Sequence, residues 1–254
     1  MRYTPLNNSI YKRNRSNFMN EMKGNSLAVF NSNDIYPVSA DSELPFEQHR
    51  DIFHLSGIDQ EETILLLYPP SKDGKTREIL FIRKSDNHTK VWEGEKLSKK
   101  QANELSGIDN IYYTEDFKDV LSSIATKVDT FYINKNEHYR ANSPVETRED
   151  RFISWLLKKY PAHNVAKSNP ILQRQRSIKH PSEIDQIKRA CEITGKGFNR
   201  VLKFIKPNIW EYEIEAEFIH EFINNSSKGF AYSPIIASGN DNNVLHYIKN
   251  NKQC

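Results

Sequence analysis

Short apolar runs of strand length alternate with helical segments along the N-terminal part of the chain, and this alternation constrains the fold most. The runs are Ser26–Phe30, Thr63–Tyr68, Glu78–Ile82 and Thr130–Ile133. Their length and their β-branched and aromatic content are typical of buried strands. Strands that alternate with helices build α/β layers on a mixed or parallel sheet. The sequence therefore predicts an N-terminal α/β domain with a mixed sheet.

The helices between these strands carry start and stop signals. Ser98 with Gln101 three residues later forms a capping box, and Gly107 is a suitable end for that helix. Apolar residues at helical spacing predict a second helix over 117–124. A third amphipathic helix is predicted over 152–159, where Tyr160-Pro161 ends it.

The pattern changes near residue 173. A long helix is predicted over 182–205 with Ser182 as its N-cap, and a second helix over about 209–225 is predicted to be capped by Asn208. An apolar strand is predicted over 232–237. Two helices and one strand make only part of a domain, because their apolar faces need a further sheet to cover them.

These two patterns divide the chain into predicted domains at 1–172 and 173–254. The segment Gln173–Lys179 is basic, polar and without apolar periodicity, so we expect a linker there.

Composition excludes several classes of protein. The chain is 37% hydrophobic and 27% charged, which is typical of a globular protein with a real core. No apolar run approaches the roughly 20 residues of a membrane span, and the basic clusters lack aromatic stacking residues. We therefore expect no membrane and no nucleic-acid partner. The N-terminus lacks a signal-like apolar stretch and the two cysteines form no C-x-x-C pair, so we expect a cytoplasmic location.

Two regions contain candidate site residues. His246 lies between Leu245 and Tyr247 after a Ser-Gly-Asn loop, so it is either a buried, hydrogen-bonded histidine or a site residue. Trp92, beside a glycine in a charged loop, is either an interface anchor or half-buried. Asp41 belongs to a polar-aromatic loop whose simplest interpretation is structural. By contrast, His220-Glu221 is not a zinc motif, because Asn224 stands where H-E-x-x-H needs its second histidine.

Four segments together resemble the creatinase and aminopeptidase P superfamily, and specifically bacterial Xaa-Pro aminopeptidases. They are Ser39–Glu43 with Phe53–Ile58, Trp92-x-Gly94, Arg176–Ile184, and Tyr232–Gly239 with Leu245–Tyr247. The third resembles the R-x-x-K-x-P-x-E-I entry to the catalytic domain. The fourth resembles its first active-site segment.

The resemblance implies an N-terminal α/β domain followed by a "pita-bread" catalytic domain, which is incomplete in this chain. In such enzymes two divalent metals, often manganese, activate a hydroxide that attacks the peptide bond preceding a penultimate proline. The implied partners are peptides with proline at the second position, and the implied assembly is a homo-oligomer.

The resemblance also assigns roles to individual residues. His246 is expected to bind substrate and to stabilise the tetrahedral intermediate, and Tyr232 to support the site from behind. Asp41 and Trp92 are expected near the active-site region, Trp92 through an oligomeric contact. The family's five metal ligands follow the His246 segment and are missing from this chain. We therefore expect no bound metal and no activity from the chain alone.

Two alternatives stay open. A prolidase would cut only dipeptides that end in proline. A non-catalytic member of the pita-bread fold would bind peptides without cleaving them.

Overall fold

The computed structural model describes residues 3–71, 74–135, 138 and 143–254. The helices are α1 Ser9–Glu21, α2 Arg50–Ser56, α3 Gly74–Arg77, α4 Asn87–Trp92, α5 Lys99–Ser106, α6 Phe117–Ala125, α7 Arg148–Lys159, α8 Asn169–Ser177, α9 Pro181–Phe204 and α10 Glu211–Asn224. The strands are β1 Ser26–Asn31, β2 Pro37–Ser39, β3 Ser42–Glu43, β4 Ile64–Leu67, β5 Glu78–Ile82, β6 Asn110–Tyr113, β7 Thr130–Ile133 and β8 Asn164–Lys167. Two compact units contain Pro5–Ile178 and Lys179–Cys254, the latter with the N-terminal residues up to Thr4.

A mixed six-stranded sheet in the order β6-β5-β4-β1-β7-β8 forms the centre of the unit at Pro5–Ile178. Strand β4 runs antiparallel to both of its neighbours, whereas β6 pairs parallel to β5 and β7 pairs parallel to β1 and β8. The predicted α/β domain with a mixed sheet is confirmed. The four predicted strands are β1, β4, β5 and β7, which include the whole centre of the sheet.

Helices cover both faces of this sheet, because successive strand residues point to opposite sides. In β1, Ala28 and Phe30 join one apolar cluster with residues of α1, α2, α5 and α8. Leu27 and Val29 join the other cluster with residues of α6 and α7. The capping box of Ser98 and Gln101 forms as predicted, and Gly107 ends α5 with a φ of 69°.

A buried arginine joins the helical layer to the sheet. Arg15 of α1 is 0% exposed, and its Nε donates to Glu78 at 2.8 Å. Its Nη1 donates to the carbonyls of Leu55 and Ser106 at 2.8 and 3.0 Å. These carbonyls end α2 and α5, so one guanidinium holds three helices and strand β5 together.

The unit at Lys179–Cys254 is built on α9 and α10, which pack around a small apolar cluster of Val201, Ile209, Ile214, Phe218 and Phe222. Gly197 permits this packing, because a Cβ there would lie 2.8 Å from Phe222 and 2.9 Å from Phe218. Several large apolar side chains on this unit stay exposed, among them Phe198, Leu202, Ile205 and Ile223.

Both predicted helix caps in this unit were wrong. The N-cap of α9 is His180 and not Ser182, because Pro181 suits the first helical position and Glu183 bonds back to the His180 amide at 2.7 Å. Helix α10 starts after Trp210, whose amide donates to Glu213 at 2.7 Å. Asn208 instead adopts a φ of 71° in the preceding turn.

The predicted strand over 232–237 was also wrong. Residues 232–237 are irregular, because no strand among the described residues pairs with them, and the Ile236 amide and the Pro234 carbonyl bond to the side chain of Asn250 instead. The expected linker lies mostly in α8, which is ordered by the buried Ile171 and Leu172 and by an Arg174–Glu21 ion pair. The compact units divide between Ile178 and Lys179. The domain assignment at 1–172 and 173–254 stays a prediction.

Candidate functional site

The segment after α10 folds back along the start of that helix. It runs through irregular residues 231–238, a 3-10 turn at Gly239–Asn243 and a turn at Leu245–His246. Backbone hydrogen bonds then attach the chain's last residues to 208–211. The Asn208 amide donates to Cys254 at 2.9 Å, the Cys254 amide to Ile209 at 2.8 Å and the Glu211 amide to Lys252 at 2.9 Å.

The Glu211 carboxylate organises this segment. It is buried at the first residue of α10, where the free amides of a helix N-terminus favour a negative charge. Its Oε1 accepts from the Ser238 amide and the Ser238 hydroxyl, both at 2.7 Å. Its Oε2 accepts from the Tyr247 hydroxyl at 2.7 Å and the Lys252 amide at 3.0 Å. One side chain therefore holds three separate points of the segment.

The electrostatics of this cluster favour the carboxylate. Burial opposes ionisation of Glu211, but the hydrogen bonds from Ser238, Tyr247 and the Lys252 amide outweigh it and lower the pKa of Glu211. Burial and the bond to Glu211 raise the pKa of Tyr247, so its hydroxyl stays a donor. Glu211 is thus a fixed anion at neutral pH.

Asn250 holds the irregular part of the segment in a similar way. It is buried with a φ of 45°. Its side-chain oxygen accepts from the Ile236 amide at 3.1 Å, and its nitrogen donates to Glu215 at 2.8 Å and to the Pro234 carbonyl at 3.2 Å. The stretch before the loop is therefore attached to α10 as well.

His246 and Tyr232 lie at the surface of this anchored segment. The imidazole of His246 is exposed, whereas its neighbour Tyr247 is buried against Glu211. Of the two possibilities left open by the sequence, a buried histidine is therefore excluded. The side chain of Tyr232 is 78% exposed. The predicted roles of both residues stay predictions.

Asp41 and Trp92 belong to the other compact unit. Asp41 lies exposed in the turn of the β2–β3 hairpin. Trp92 ends α4 and is 75% exposed, so the half-buried alternative is excluded. The residue after it is held firmly. Glu93 accepts from Arg83 at 2.6 and 2.7 Å and pairs with Lys96 at 3.0 Å. These partners lower the pKa of Glu93 to about 2.

The described residues do not form the two-metal site that the resemblance implies. Within the described ranges, no three His, Cys, Asp or Glu side chains come together as a metal site. Glu211, a carboxylate of α10 that binds this segment, directs both oxygens to protein donors. None of the helices in the described part of the chain has the length and apolar character needed to cross a membrane.

Sequence reasoning missed Glu211 and Asn250. The hydrogen-bond partners of Glu211 lie 27 to 41 residues away along the chain. No local sequence pattern predicts hydrogen bonds between residues so far apart. The only signal is an acidic residue at a helix start in a segment that later returns with a Ser-Gly turn.

Two family models match the chain in order. Residues 11–132 match the N-terminal domain of aminopeptidase P, and residues 185–254 match metallopeptidase family M24. The Xaa-Pro aminopeptidase of Escherichia coli (strain K12) is 27% identical over 246 residues, which cover 94% of this chain and 54% of that relative. The chain spans about half the length of the curated relatives it matches.

Solved structures agree with these matches. A putative aminopeptidase P from Bacillus anthracis superposes with a TM-score of 0.90 at 28% identity, covering 98% of this chain and 59% of that one. Zinc-substituted E. coli aminopeptidase P in complex with product gives a TM-score of 0.86 at 25% identity, with coverage of 98% and 57%. The chain therefore matches the N-terminal portion of Xaa-Pro aminopeptidases, with an aminopeptidase P N-terminal domain followed by part of a family M24 metallopeptidase domain.

Proposed function

We propose that this chain is the N-terminal portion of a metal-dependent Xaa-Pro aminopeptidase that removes an N-terminal residue preceding proline, and that it contributes His246 to peptide binding. The observation that carries the proposal is the position of His246. Its imidazole is exposed on a loop that Glu211 holds to α10, within the stretch that matches family M24. A side chain offered to solvent from a fixed loop suits ligand binding better than packing.

The proposed role of His246 is a hydrogen bond to the peptide. An imidazole nitrogen donates a hydrogen bond to the carbonyl oxygen of the peptide bond to be cut. This hydrogen bond strengthens as negative charge develops on that oxygen. Tyr232 supports the same region. Asp41 and Trp92 contribute from the N-terminal domain, and Trp92 does so through contact between copies in a homo-oligomer. Its 75% exposure is what such an anchor needs.

The proposed cofactor is a pair of divalent ions, with manganese as the natural metal. The zinc-substituted E. coli relative supports a divalent metal in the family. The described residues bring together no three His, Cys, Asp or Glu side chains that could hold such a pair. The role proposed for His246 therefore does not depend on a metal bound to these residues. We therefore propose that the 254-residue chain is inactive by itself. The proposed location is the cytoplasm.

Peptide binding in solution tests the role of His246. The chain is titrated with Gly-Pro-Leu while backbone amide and imidazole NMR signals are followed. We expect shifts at 244–247 that His246→Ala abolishes and that His220→Ala, which removes an exposed histidine of α10, leaves unchanged. Shifts that persist in His246→Ala would refute the role of His246. Gly-Ala-Leu is the control peptide and should bind more weakly.

Two further observations separate the alternatives. Incubation with manganese, cobalt or zinc and Gly-Pro-Leu should release no glycine, and release that follows the purified chain would refute inactivity. Preference for the dipeptide Gly-Pro over Gly-Pro-Leu would favour a prolidase. No metal-ligand cluster forms among the residues that the structure describes, which favours one non-enzymatic alternative, a peptide-binding module. A peptide affinity that does not depend on proline at the second position of the peptide would support the peptide-binding module.

A further inference from the structure

Both ends of the loop that contains His246 are attached to one carboxylate. Ser238 immediately precedes the 3-10 turn, and Tyr247 immediately follows His246. Ser238 binds one oxygen of Glu211 through two hydrogen bonds, and Tyr247 binds the other oxygen through one. Between these points the loop is mostly exposed, including its apolar residues Val244 and Leu245, so its own packing contributes little to its order.

We infer that Glu211 is a positioning residue for substrate binding, because its carboxylate closes the loop 238–247 and thereby fixes where His246 stands. The inference rests on the proposed function of His246. Glu211 itself does not reach a ligand, since it is 0% exposed and its oxygens are occupied by four protein donors.

The chemistry of the donors requires a carboxylate at this position. Two of the four donors are backbone amides, from Ser238 and Lys252, and each contacts a different oxygen of Glu211. A hydroxyl can reverse its hydrogen bond, but a backbone N–H cannot. In Glu211→Gln, either orientation of the amide therefore turns an NH2 group towards one backbone donor. A glutamine cannot satisfy both sides.

The hydrogen bonds between the loop and the Glu211 carboxylate depend on pH, because Glu211 and its neighbours are titratable. The Lys252 ammonium pairs with Asp241 of the loop, and the Tyr247 phenol donates directly to Glu211. Both Tyr247 and Lys252 interact electrostatically with Glu211. The folded pKa of Glu211 lies below its ordinary value of about 4.3. Its contribution is therefore complete above that value and is lost as the pH falls through the folded pKa.

Amide exchange of the full chain measures the order of the loop directly. We expect Glu211→Gln to raise exchange at 238–247 on the order of tenfold, because a buried backbone donor loses its acceptor. Glu192→Gln, which removes the same charge from an exposed site on α9, is the matched control and should change nothing there. Exchange in Glu211→Gln within about twofold of the unchanged chain would overturn the inference.

Smaller changes keep the test valid if Glu211→Gln also unfolds the helices. Tyr247→Phe removes one donor at the His246 end, and Ser238→Ala removes one hydroxyl at the other end. We expect Tyr247→Phe to raise exchange at 244–247 more than at 238–240, and Ser238→Ala to do the reverse. Uniform effects, or none, would contradict two separate attachments to one carboxylate.

Two readouts separate positioning from general stability. The amide signals of Ser238 and Lys252 should titrate together below the ordinary glutamate pKa, and this transition should vanish in Glu211→Gln. Affinity for Gly-Pro-Leu should fall in Glu211→Gln while exchange in α9 stays unchanged. A chain that binds no peptide but loosens in Glu211→Gln would refute the proposed function and not the loop attachment. Unchanged affinity beside a loosened loop would refute positioning.

Discussion

The two compact units use their apolar residues in opposite ways. In Pro5–Ile178 a sheet buries side chains on both faces, and its central strands β1 and β4 are buried along their whole length. In Lys179–Cys254 a helix of 24 residues, α9, buries only Gly197 and Val201. Burial stabilises by roughly 25 cal/mol per Å² of apolar surface. The first unit thus contains its own core, whereas the second depends on polar attachments and leaves apolar surface uncovered.

The largest expected effect tests the core of the first unit. Arg15→Met leaves Glu78 without its buried partner and the carbonyls of Leu55 and Ser106 without a donor. We expect the free energy of unfolding to fall by about 3 kcal/mol or more. Urea unfolding followed by circular dichroism measures it. Arg50→Met, which breaks an exposed pair with Glu47, is the control and should cost less than about 1 kcal/mol. Equal losses of unfolding free energy in the two variants would show that the buried contacts of Arg15 do not stabilise this unit more than an exposed ion pair does.

A pair of glycine substitutions tests the thin core of the second unit. In Gly197→Ala the new Cβ collides with Phe218 and Phe222. We therefore expect the packing of α9 against α10 to be destabilised by about 1 to 3 kcal/mol. In Gly195→Ala nothing lies within 4 Å of the new Cβ, so helix propensity should stabilise α9 by about 1 kcal/mol. Site-resolved amide exchange in α9 distinguishes them. Loss of protection in both variants would mean that packing does not explain Gly197.

The sequence predicted the buried centre of the fold better than its edges. Strands β1, β4, β5 and β7 are recognisable in the sequence, because buried strands require runs of apolar residues. Helix α1 was missed because its buried face includes Asn14 and Arg15, which resemble surface residues in a sequence. Strand β8 was missed because it is mostly exposed at the edge of the sheet.

The site was predictable only in part, for a related reason. His246 and Trp92 were identified by type and by resemblance, and both are exposed in the structure. The bonds that fix the His246 loop connect Glu211 to residues far along the chain, and side-chain bonds of this kind follow no period. The strand expected over 232–237 does not form, because the described part of the chain provides no strand to pair with it. A sequence pattern indicates the secondary structure that a segment favours, but it does not indicate which other segments pack against it.

The smallest expected effect concerns the turn after Trp92. Its glutamate, Glu93, has a pKa of about 2, below the ordinary value, so the ion pairs persist from neutral pH down to about pH 3 and are lost as the pH falls further. Glu93→Gln should free the end of α4 and increase exchange at 90–94, with an overall loss below about 1 kcal/mol because the cluster is partly solvated. Glu95→Gln, which removes a more exposed pair with Lys90, is the control. Equal exchange in both variants would remove any special role for Glu93.

Amide exchange across the whole chain, measured on a dilute monomer, tests the contrast between the units most directly. We predict that amides of β1, β4, β5 and β7 exchange only by global unfolding, because both sheet faces are covered. Amides of α9 and α10 should exchange much faster, by local opening, because their apolar cluster is small. Equal and strong protection in both units would contradict the account, since it would show that Lys179–Cys254 contains a complete core of its own.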